Sequence, residues 1–338
     1  MRKIYLFFVM LIATTSAVTA QSLEKVFEGN KDFEQVSSIK VNGDFCKVEF
    51  VKGDKVNVTA ELSANKQLDG YAVSMDLAAG VLTVNVNKPE SGWSSHSGFV
   101  TVTMPDGMNL EVVTSSGYIN LADFKNTNLK AESKSGKIVV INLQGSADLS
   151  TKSATITVDN ITGEVATSTK DGNQTVTNVK GNAKVVAYNG SLIIENIEGA
   201  CSAETTDGAL TLKNIKGQMR MKTNSGSMKL SDSEGTITTT SGAGSLNFFN
   251  VQGVFDINSG KGDVIGARVK FTESSSIKTT EGKIKFKLEN SKEELSFACV
   301  SEKGMMVVYG KAKKKKVNEG KGSIVITTYS TTGAQNYY

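Results

Sequence analysis

The sequence predicts an all-β protein: a right-handed parallel β-helix (solenoid) with coils of about 18 residues and two main strands per coil. Three observations carry this prediction. Glycines return every 18 residues in two interleaved series, apolar and polar residues alternate between them, and one turn position is nearly always Asn. A fixed period of this kind is typical of solenoids, in which each coil packs on its neighbours. Parallel crossovers favour the right-handed form.

The two glycine series divide each coil into halves. The first occupies positions 145, 163, 181, 199, 217, 235 and 253; the second occupies 136, 172, 190, 208, 226, 244 and 262, with Ala154 in the gap. Because Gly adopts positive φ without a Cβ clash, both series are predicted to form tight bends at strand ends.

Strands are predicted between the glycines because the apolar positions alternate with period two. Val165 and Thr167 follow a first-series glycine by two and four residues, and Leu192 and Ile194 follow a second-series glycine in the same way. The sixth position of the first strand is always small. No window has the three-and-four spacing of a helix, and Thr, Val, Ile and Gly dominate, so helix is excluded.

An amide recurs at one further position of the coil, with one Asp exception: Asn142, Asn160, Asn178, Asn196, Asn214, Asp232 and Asn250. Asn tolerates left-handed backbone angles, so this position is predicted to be a corner. Stacked amides are also expected to form a hydrogen-bonded ladder along the axis. A row of ligand-binding amides is the alternative interpretation.

The chain is expected to have four segments. Residues 1–20 read as a signal peptide, with basic Arg2 and Lys3, an apolar core and small residues before cleavage after Ala20. Residues 21–107 are expected to form irregular N-terminal β coils or a cap. Residues 108–270 carry the regular repeats, and residues 271–338 are expected to be C-terminal coils with insertions and a cap.

Charge gives little information about function. Without Arg2 and Lys3 the chain has 36 basic and 34 acidic residues, which indicates no preference for nucleic acid or membranes. The exception is the run KAKKKK at residues 311–316. It is predicted to be a solvated loop, and a patch for an acidic glycan or a lipid headgroup is the alternative. No later segment is apolar enough for a transmembrane helix.

The three cysteines are not expected to form disulfides. Cys46, Cys201 and Cys299 fall on inward positions of the predicted strands. Cys201 and Cys299 lie five coils apart in the predicted stack, or about 24 Å by strand spacing. A disulfide requires Cα atoms within about 7 Å.

Residues 99–121, FVTVTMPDGMNLEVVTSSGYINL, contain an alternating strand, Pro105 near its end and Ser115-Ser116-Gly117 opening the repeats. In these features the chain resembles the bacterial "putative adhesin" families of β-strand repeats, including the head GIN domain group. The resemblance implies an exported right-handed β-helix of Bacteroidetes type. It brings no catalytic motif.

Candidate catalytic groups are few. His96 is the one histidine and falls in a polar stretch, residues 88–98, that is predicted to be a loop. Asp171 and Asp207 share a turn position but are separated by Asn189, and Arg220 and Arg268 fall at different positions of their coils. Calcium-binding nonapeptide repeats need a G-G-x-G-x-D phrase, which is absent. No catalytic residue, cofactor or metal is therefore predicted.

The sequence favours an exported, non-enzymatic interaction protein of adhesin-like type, located in the periplasm or on the outer cell surface. A glycan or a protein of the cell envelope would bind one flat sheet face or the predicted loops at 88–98 and 290–320. The alternative is a glycan-active enzyme, a lyase or hydrolase, on the same scaffold. That alternative requires carboxylates and a cation to converge in one groove.

Overall fold

The computed structural model describes residues 23–66, 69–90 and 95–338, so the predicted signal peptide lies outside the described residues. All regular elements in these ranges are β-strands, and the strands form one continuous hydrogen-bonded arrangement. This confirms the all-β prediction. Parallel strands about 18 residues apart stack on one another as a β-solenoid.

Seven strands form the N-terminal part of the molecule: β1 (Glu24–Phe33), β2 (Ser38–Asp44), β3 (Lys47–Lys52), β4 (Val56–Ala64), β5 (Ala72–Ala78), β6 (Val81–Asn87) and β7 (His96–Met104). The coils of regular spacing then follow: β8 (Asn109–Thr114), β9 (Ile119–Lys125), β10 (Asn128–Ser133), β11 (Ile138–Gln144), β12 (Ala147–Thr151), β13 (Ile156–Thr162), β14 (Val165–Thr169), β15 (Gln174–Lys180), β16 (Ala183–Ala187), β17 (Leu192–Glu198) and β18 (Cys201–Thr205).

Longer strands that continue through a corner come next: β19 (Leu210–Thr223), β20 (Met228–Ser241) and β21 (Leu246–Ser259). The C-terminal part contains β22 (Val264–Phe271), β23 (Ser275–Thr279), β24 (Ile284–Leu288), β25 (Leu295–Val308), β26 (Lys311–Gly320), β27 (Ile324–Ser330) and β28 (Gln335–Tyr337).

Side chains 18 residues apart lie in vertical columns. Leu192 pairs with Leu210, which pairs with Met228 in the next coil, and all three are buried. The predicted register of the second strand is therefore confirmed. First-strand residues stack in the same way, for example Val165 on Ala183.

A third inward column was missed in the sequence. It follows the Asn corner and contains Leu143, Ile161, Val179, Ile197 and Ile215, all buried. The left-handed residue at the corner turns the chain and interrupts the alternation of inward and outward side chains. The residue directly after the corner therefore points inward. Each coil therefore buries apolar side chains from three directions.

The two glycine series differ in backbone conformation. First-series glycines have positive φ, for example 144° at Gly181 and 154° at Gly199, as predicted. Second-series glycines such as Gly190 and Gly208 do not have positive φ, so the predicted positive φ is wrong for them, although the chain bends there. In both series a Cβ would meet the backbone of the coil before; on Gly190 it would meet the carbonyl oxygen of Gly172. Close backbone stacking excludes side chains there.

The threonine at the end of several first strands closes the turn that follows. The hydroxyl Oγ1 of Thr169 accepts a hydrogen bond from the backbone N–H of Gly172 at 3.0 Å, and Thr223 accepts one from Gly226 at 3.0 Å. These hydroxyls are buried beside the core, so the bonds satisfy turn N–H groups that water does not reach.

The left-handed backbone of the Asn corner is confirmed, and the predicted amide ladder forms over part of the stack; it is interrupted where Asn178 donates to Asp159. Backbone φ lies between 52° and 58° from Asn142 to Asn250, including Asp232. The amide Nδ2 of Asn160 donates to Oδ1 of Asn142 at 2.7 Å, and Asn214 donates to Asn196 at 2.7 Å. Where Asp replaces Asn, as at Asp232, its carboxylate accepts from Asn250 at 2.8 Å.

Strands at the N-terminal end do not stack in chain order. β2 lies between β6 and β8, and β3 lies between β7 and β9, all in parallel pairs. β5 then pairs antiparallel with β6, and β4 and β1 continue antiparallel beyond β7. Antiparallel strands thus cover the open end of the parallel stack, where unpaired backbone groups would otherwise be exposed.

The C-terminal end departs from chain order as well. β27 inserts between β23 and β25, so the last coil in the sequence is not the last in the stack. β26 pairs antiparallel with β25 across the end. The run at 311–316 therefore belongs to a strand, and the predicted loop is wrong there. A turn at Tyr309 and Gly310, both with positive φ, reverses the chain into β26.

Aromatic side chains fill the core towards the C-terminal end. Phe255 and Phe271 have ring centroids 5.1 Å apart, and Phe297 and Tyr337 are also 5.1 Å apart. Burial raises the pKa of Tyr337 well above its usual value. These aromatic residues lie in or next to the coils that leave the 18-residue spacing.

The cysteines are free and buried, as predicted. Burial raises the pKa of Cys46 and of Cys201 to about 12, with the nearby Asp44 charge adding to the effect at Cys46. Burial also raises the pKa of Cys299 to about 11. The thiolate is the reactive form, so these thiols are expected to be inert in the folded protein.

Candidate functional site

A groove runs along the outer face of the first-strand sheet. It has a volume of about 710 Å³ and crosses the coils from β12 to β20. We call it the sheet groove; outward side chains of six successive first strands line it. Stacked parallel strands lie about 4.8 Å apart, so the sheet groove presents similar side-chain positions at a short regular interval.

Large and small side chains alternate along this face. The exposed charged residues Asp148, Lys184 and Arg220 are two coils apart. The partly buried Ala166 and Ser202 lie between them, and Thr238 follows Arg220. The pairings Asp148 with Ala166 and Ala166 with Lys184 place them in one column. The large side chains therefore form ridges across the groove, about 10 Å apart by strand geometry.

The cations of the sheet groove are free to meet a ligand. Lys184 and Arg220 form no ion pair with any residue that the structure describes. In the neighbouring outward column, by contrast, Lys222 is paired with Glu204. Two unpaired cations on adjacent ridges give the part of the groove from β16 to β19 a local positive charge, whereas Asp148 and Glu164 make the part at β12 and β14 negative.

A second depression of about 430 Å³ extends the groove towards the N-terminal end and shares Ser146 and Asp148 with it. Its ridges carry opposite charges that neutralise each other: Lys40 Nζ lies 3.0 Å from Glu111 Oε2. The extension is therefore continuous with the sheet groove in shape but not in charge.

Two carboxylates also lie in the sheet groove. Asp148 and Glu164 are on neighbouring coils and both are exposed. By strand geometry their Cα atoms are roughly 8 Å apart, so the two side chains are near enough to be considered as the paired acids of a glycosidase. Neither side chain accepts a hydrogen bond from another described residue, so nothing in the described chain holds them in a fixed orientation.

His96 is not in a loop, contrary to the sequence prediction. It opens β7, and its ring lies 4.2 Å from the Phe45 ring and 6.3 Å from the Tyr71 ring, centroid to centroid. Among the described residues its Nδ1 is buried without a hydrogen-bond partner. Trp93 of the same stretch lies outside the described residues.

The other candidates from the sequence do not meet at one site. Asn189 Nδ2 donates to Asp171 Oδ1 at 2.7 Å, so Asp171 takes part in a turn ladder. Arg268 lies at the Asn corner position, where its Nε donates to Glu289 Oε1 at 3.1 Å and its guanidinium covers the Phe249 ring. Arg220 alone lies in the sheet groove.

The described part of the chain offers neither a metal-ligand cluster nor a membrane-spanning helix. Within residues 23–66, 69–90 and 95–338, no three side chains of His, Cys, Asp or Glu gather as metal ligands. In the same ranges no helix has the length and apolar character to cross a membrane.

Comparison with protein families identifies the fold. The model of the family Toastrack DUF4097 matches residues 36–231 and 199–332, which together span most of the chain. The chain belongs to the Toastrack family. The two matches overlap at residues 199–231, in agreement with a continuous stack of coils.

Two solved structures align over nearly the full chain. One is a "putative cell adhesion protein" from Clostridium sporogenes, with 10% identity, coverage of 93% of this chain and 99% of that chain, and a TM-score of 0.19. The other is a "putative adhesin" from Bacteroides fragilis, with 10% identity, coverage of 92% and 97%, and a TM-score of 0.22. No curated protein matches the chain significantly. These TM-scores support no argument about function.

Proposed function

We propose that this Toastrack protein is an exported, non-enzymatic interaction module of adhesin-like type, acting in the periplasm or at the cell surface. The signal-peptide pattern of residues 1–20 supports export. The resemblance of residues 99–121 to the head GIN domain group supports the adhesin-like part of the proposal. Its ligand would be a linear glycan lying along the sheet groove.

The observation that carries this proposal is the alternation of ridges and gaps in the sheet groove. An extended polymer laid along the axis would meet an equivalent position every second coil, because ridges recur about every 10 Å. Lys184 and Arg220 on adjacent ridges favour a polymer with an anionic group on alternate sugars. Rows of outward hydroxyl and amide groups, including Asn182 and Gln218, supply hydrogen bonds to sugar hydroxyls.

The glycan-active enzyme is the second candidate, because Asp148 and Glu164 share the groove with Lys184. An acid and a base that act on one bond must be held in fixed positions by neighbouring groups. Both carboxylates are exposed and neither is oriented by a described side chain, which favours binding over hydrolysis.

A glycan array scored for both binding and product release tests the proposal. The mature protein is expected to bind linear acidic glycans without shortening them. The double variant Lys184→Ala with Arg220→Ala is expected to lose affinity at least about 100-fold, because hydrogen bonds to charged groups contribute about 1.5–3 kcal/mol each and about 1.4 kcal/mol corresponds to tenfold.

Lys213→Ala with Lys229→Ala is the matched control. Both lysines are exposed on the outer face of the second-strand sheet, and their replacement removes the same number of positive charges. Equal loss in both double variants would show that net charge, not the groove, binds the glycan. Shortened glycan products that disappear in an Asp148→Asn variant would establish the enzyme instead.

A further inference from the structure

The end of the solenoid carries a concentrated positive charge. Residues 311–316 of β26 include five lysines, and all six residues are exposed. We call this segment the lysine strand. In the described structure β26 pairs with β25 along one edge, and its other edge faces outward from the end of the stack.

Most of this charge is not neutralised. Lys311 is paired with Glu319, whereas the four lysines at 313–316 form no ion pair with a described residue. Lys292 adds charge nearby, with its Nζ 5.0 Å from the centre of the Tyr309 ring at the turn before the lysine strand.

The lysines spread over both faces of the strand. Residues that pair across antiparallel strands share a face. Lys313 pairs with the buried Met306, on the core side, but is itself exposed. Lys315 is exposed at the register shift between β25 and β26, where its φ is 70°. Lys314 and Lys316 take the outer side. The charges therefore cover a convex edge and do not converge on a pocket.

Apolar side chains accompany the outer lysines. Met305 pairs with Lys314 and is 43% exposed, and Val300 pairs with Lys316 and is 37% exposed. Lysine stems cover apolar surface while their ammonium groups reach a polar layer. An edge with both features fits the headgroup region of a bilayer, where cations meet phosphates and apolar atoms lie deeper.

We propose that the lysine strand docks this end of the protein on an anionic lipid surface. Lys is a compact point charge without the bidentate geometry that selects one phosphate or carboxylate, so it suits a surface of many dispersed charges. Each lysine close to such a surface strengthens binding by roughly fivefold, and the effect falls with salt. This docking does not depend on the sheet groove.

Co-sedimentation with lipid vesicles tests the proposal on the full mature chain. The protein is expected to sediment with vesicles that contain phosphatidylglycerol, to remain free with phosphatidylcholine alone, and to be released by high salt. Changing Lys313, Lys314, Lys315 and Lys316 together to Gln is expected to weaken binding at least about 100-fold.

The matched control changes four exposed lysines of the middle coils to Gln: Lys134, Lys137, Lys152 and Lys170. The control is expected to keep most of the binding, although its net charge is the same. Equal loss in both variants, or no binding of the unchanged protein to anionic vesicles, would overturn the proposal.

Two further outcomes would assign the lysine strand a different role. Charged edge strands also prevent edge-to-edge association of sheets. Aggregation of the four-lysine variant with unchanged vesicle binding per monomer would show that the lysine strand only protects the edge. Binding to soluble dextran sulfate but not to anionic vesicles would assign the lysine strand to a soluble polyanion and overturn lipid docking.

Discussion

Gly181→Ala is expected to destabilise the protein by about 2–6 kcal/mol. Two costs combine at this position. Backbone φ is 144°, a region that side chains rarely adopt, and strain of this kind costs about 1–3 kcal/mol. The new Cβ would also meet the carbonyl oxygen of Gly163 in the coil below, and overpacking adds about 1–3 kcal/mol.

The matched control is Gly107→Ala. Gly107 also has positive φ, at 87°, but a Cβ there would meet nothing within 4 Å. Only the backbone strain is therefore expected. Denaturant midpoints of the two variants, measured side by side, check the difference. Equal destabilisation would mean that the backbone of successive coils is not in close contact at the first-series glycines.

Leu210→Ala is expected to cost about 2–5 kcal/mol, the usual range for a buried leucine. Leu210 is 1% exposed and lies between Leu192 and Met228 in the column. The lost methyl groups would leave a cavity that neighbours in the fixed stack fill poorly. Denaturant unfolding measures the effect.

Ile193→Ala is the control for the column. Ile193 is next to Leu192 on β17 but points outward and is 43% exposed. Surface changes usually stay within about 0.5 kcal/mol. A loss at Ile193 as large as the loss at Leu210 would contradict the assignment of inward and outward faces.

The middle of the fold could be predicted from the sequence because every coil there has the same length. Equal length places Leu192, Leu210 and Met228 at one position, so the period alone shows that they stack. The third column at Ile161 and Ile197 was missed because strict alternation does not pass through a left-handed corner. The recurring Asn, for example Asn160, was the signal in the sequence that the alternation changes at this corner.

The ends could not be predicted in the same way. The position of β27 between β23 and β25 depends on strand pairing between distant segments, and no period in the sequence records that order. The strand at 311–316 did leave a local signal. Alternating Met306 and Val308 lead into the Tyr309-Gly310 turn, which is typical of a hairpin followed by a second strand.

The sheet groove could be predicted in part from the outward positions of the first strands, which the pattern of inward apolar residues does not include. The outward positions of the same strands hold the alternation of Asp148, Ala166, Lys184, Ser202 and Arg220. Sequence spacing gives the order of these residues. It does not show that Lys184 and Arg220 lack an ion pair while Lys222 has one, because that depends on side-chain geometry.

Disulfide trapping tests the stacking of coils most directly. Thr175 and Ile193 are paired on adjacent coils and point outward, so Thr175→Cys with Ile193→Cys is expected to form a disulfide on mild oxidation. Their Cα atoms lie about 4.8 Å apart by strand spacing, within the range for a disulfide. The native thiols are buried and will not compete.

Thr211 is paired with Ile193 one coil further on, about 10 Å from Thr175 by strand spacing. Thr175→Cys with Thr211→Cys is therefore expected to remain reduced, as read by peptide mapping without reductant. Stacked coils require a disulfide between positions 175 and 193 and none between positions 175 and 211. Efficient bridging of 175 to 211, with none of 175 to 193, would contradict the solenoid register.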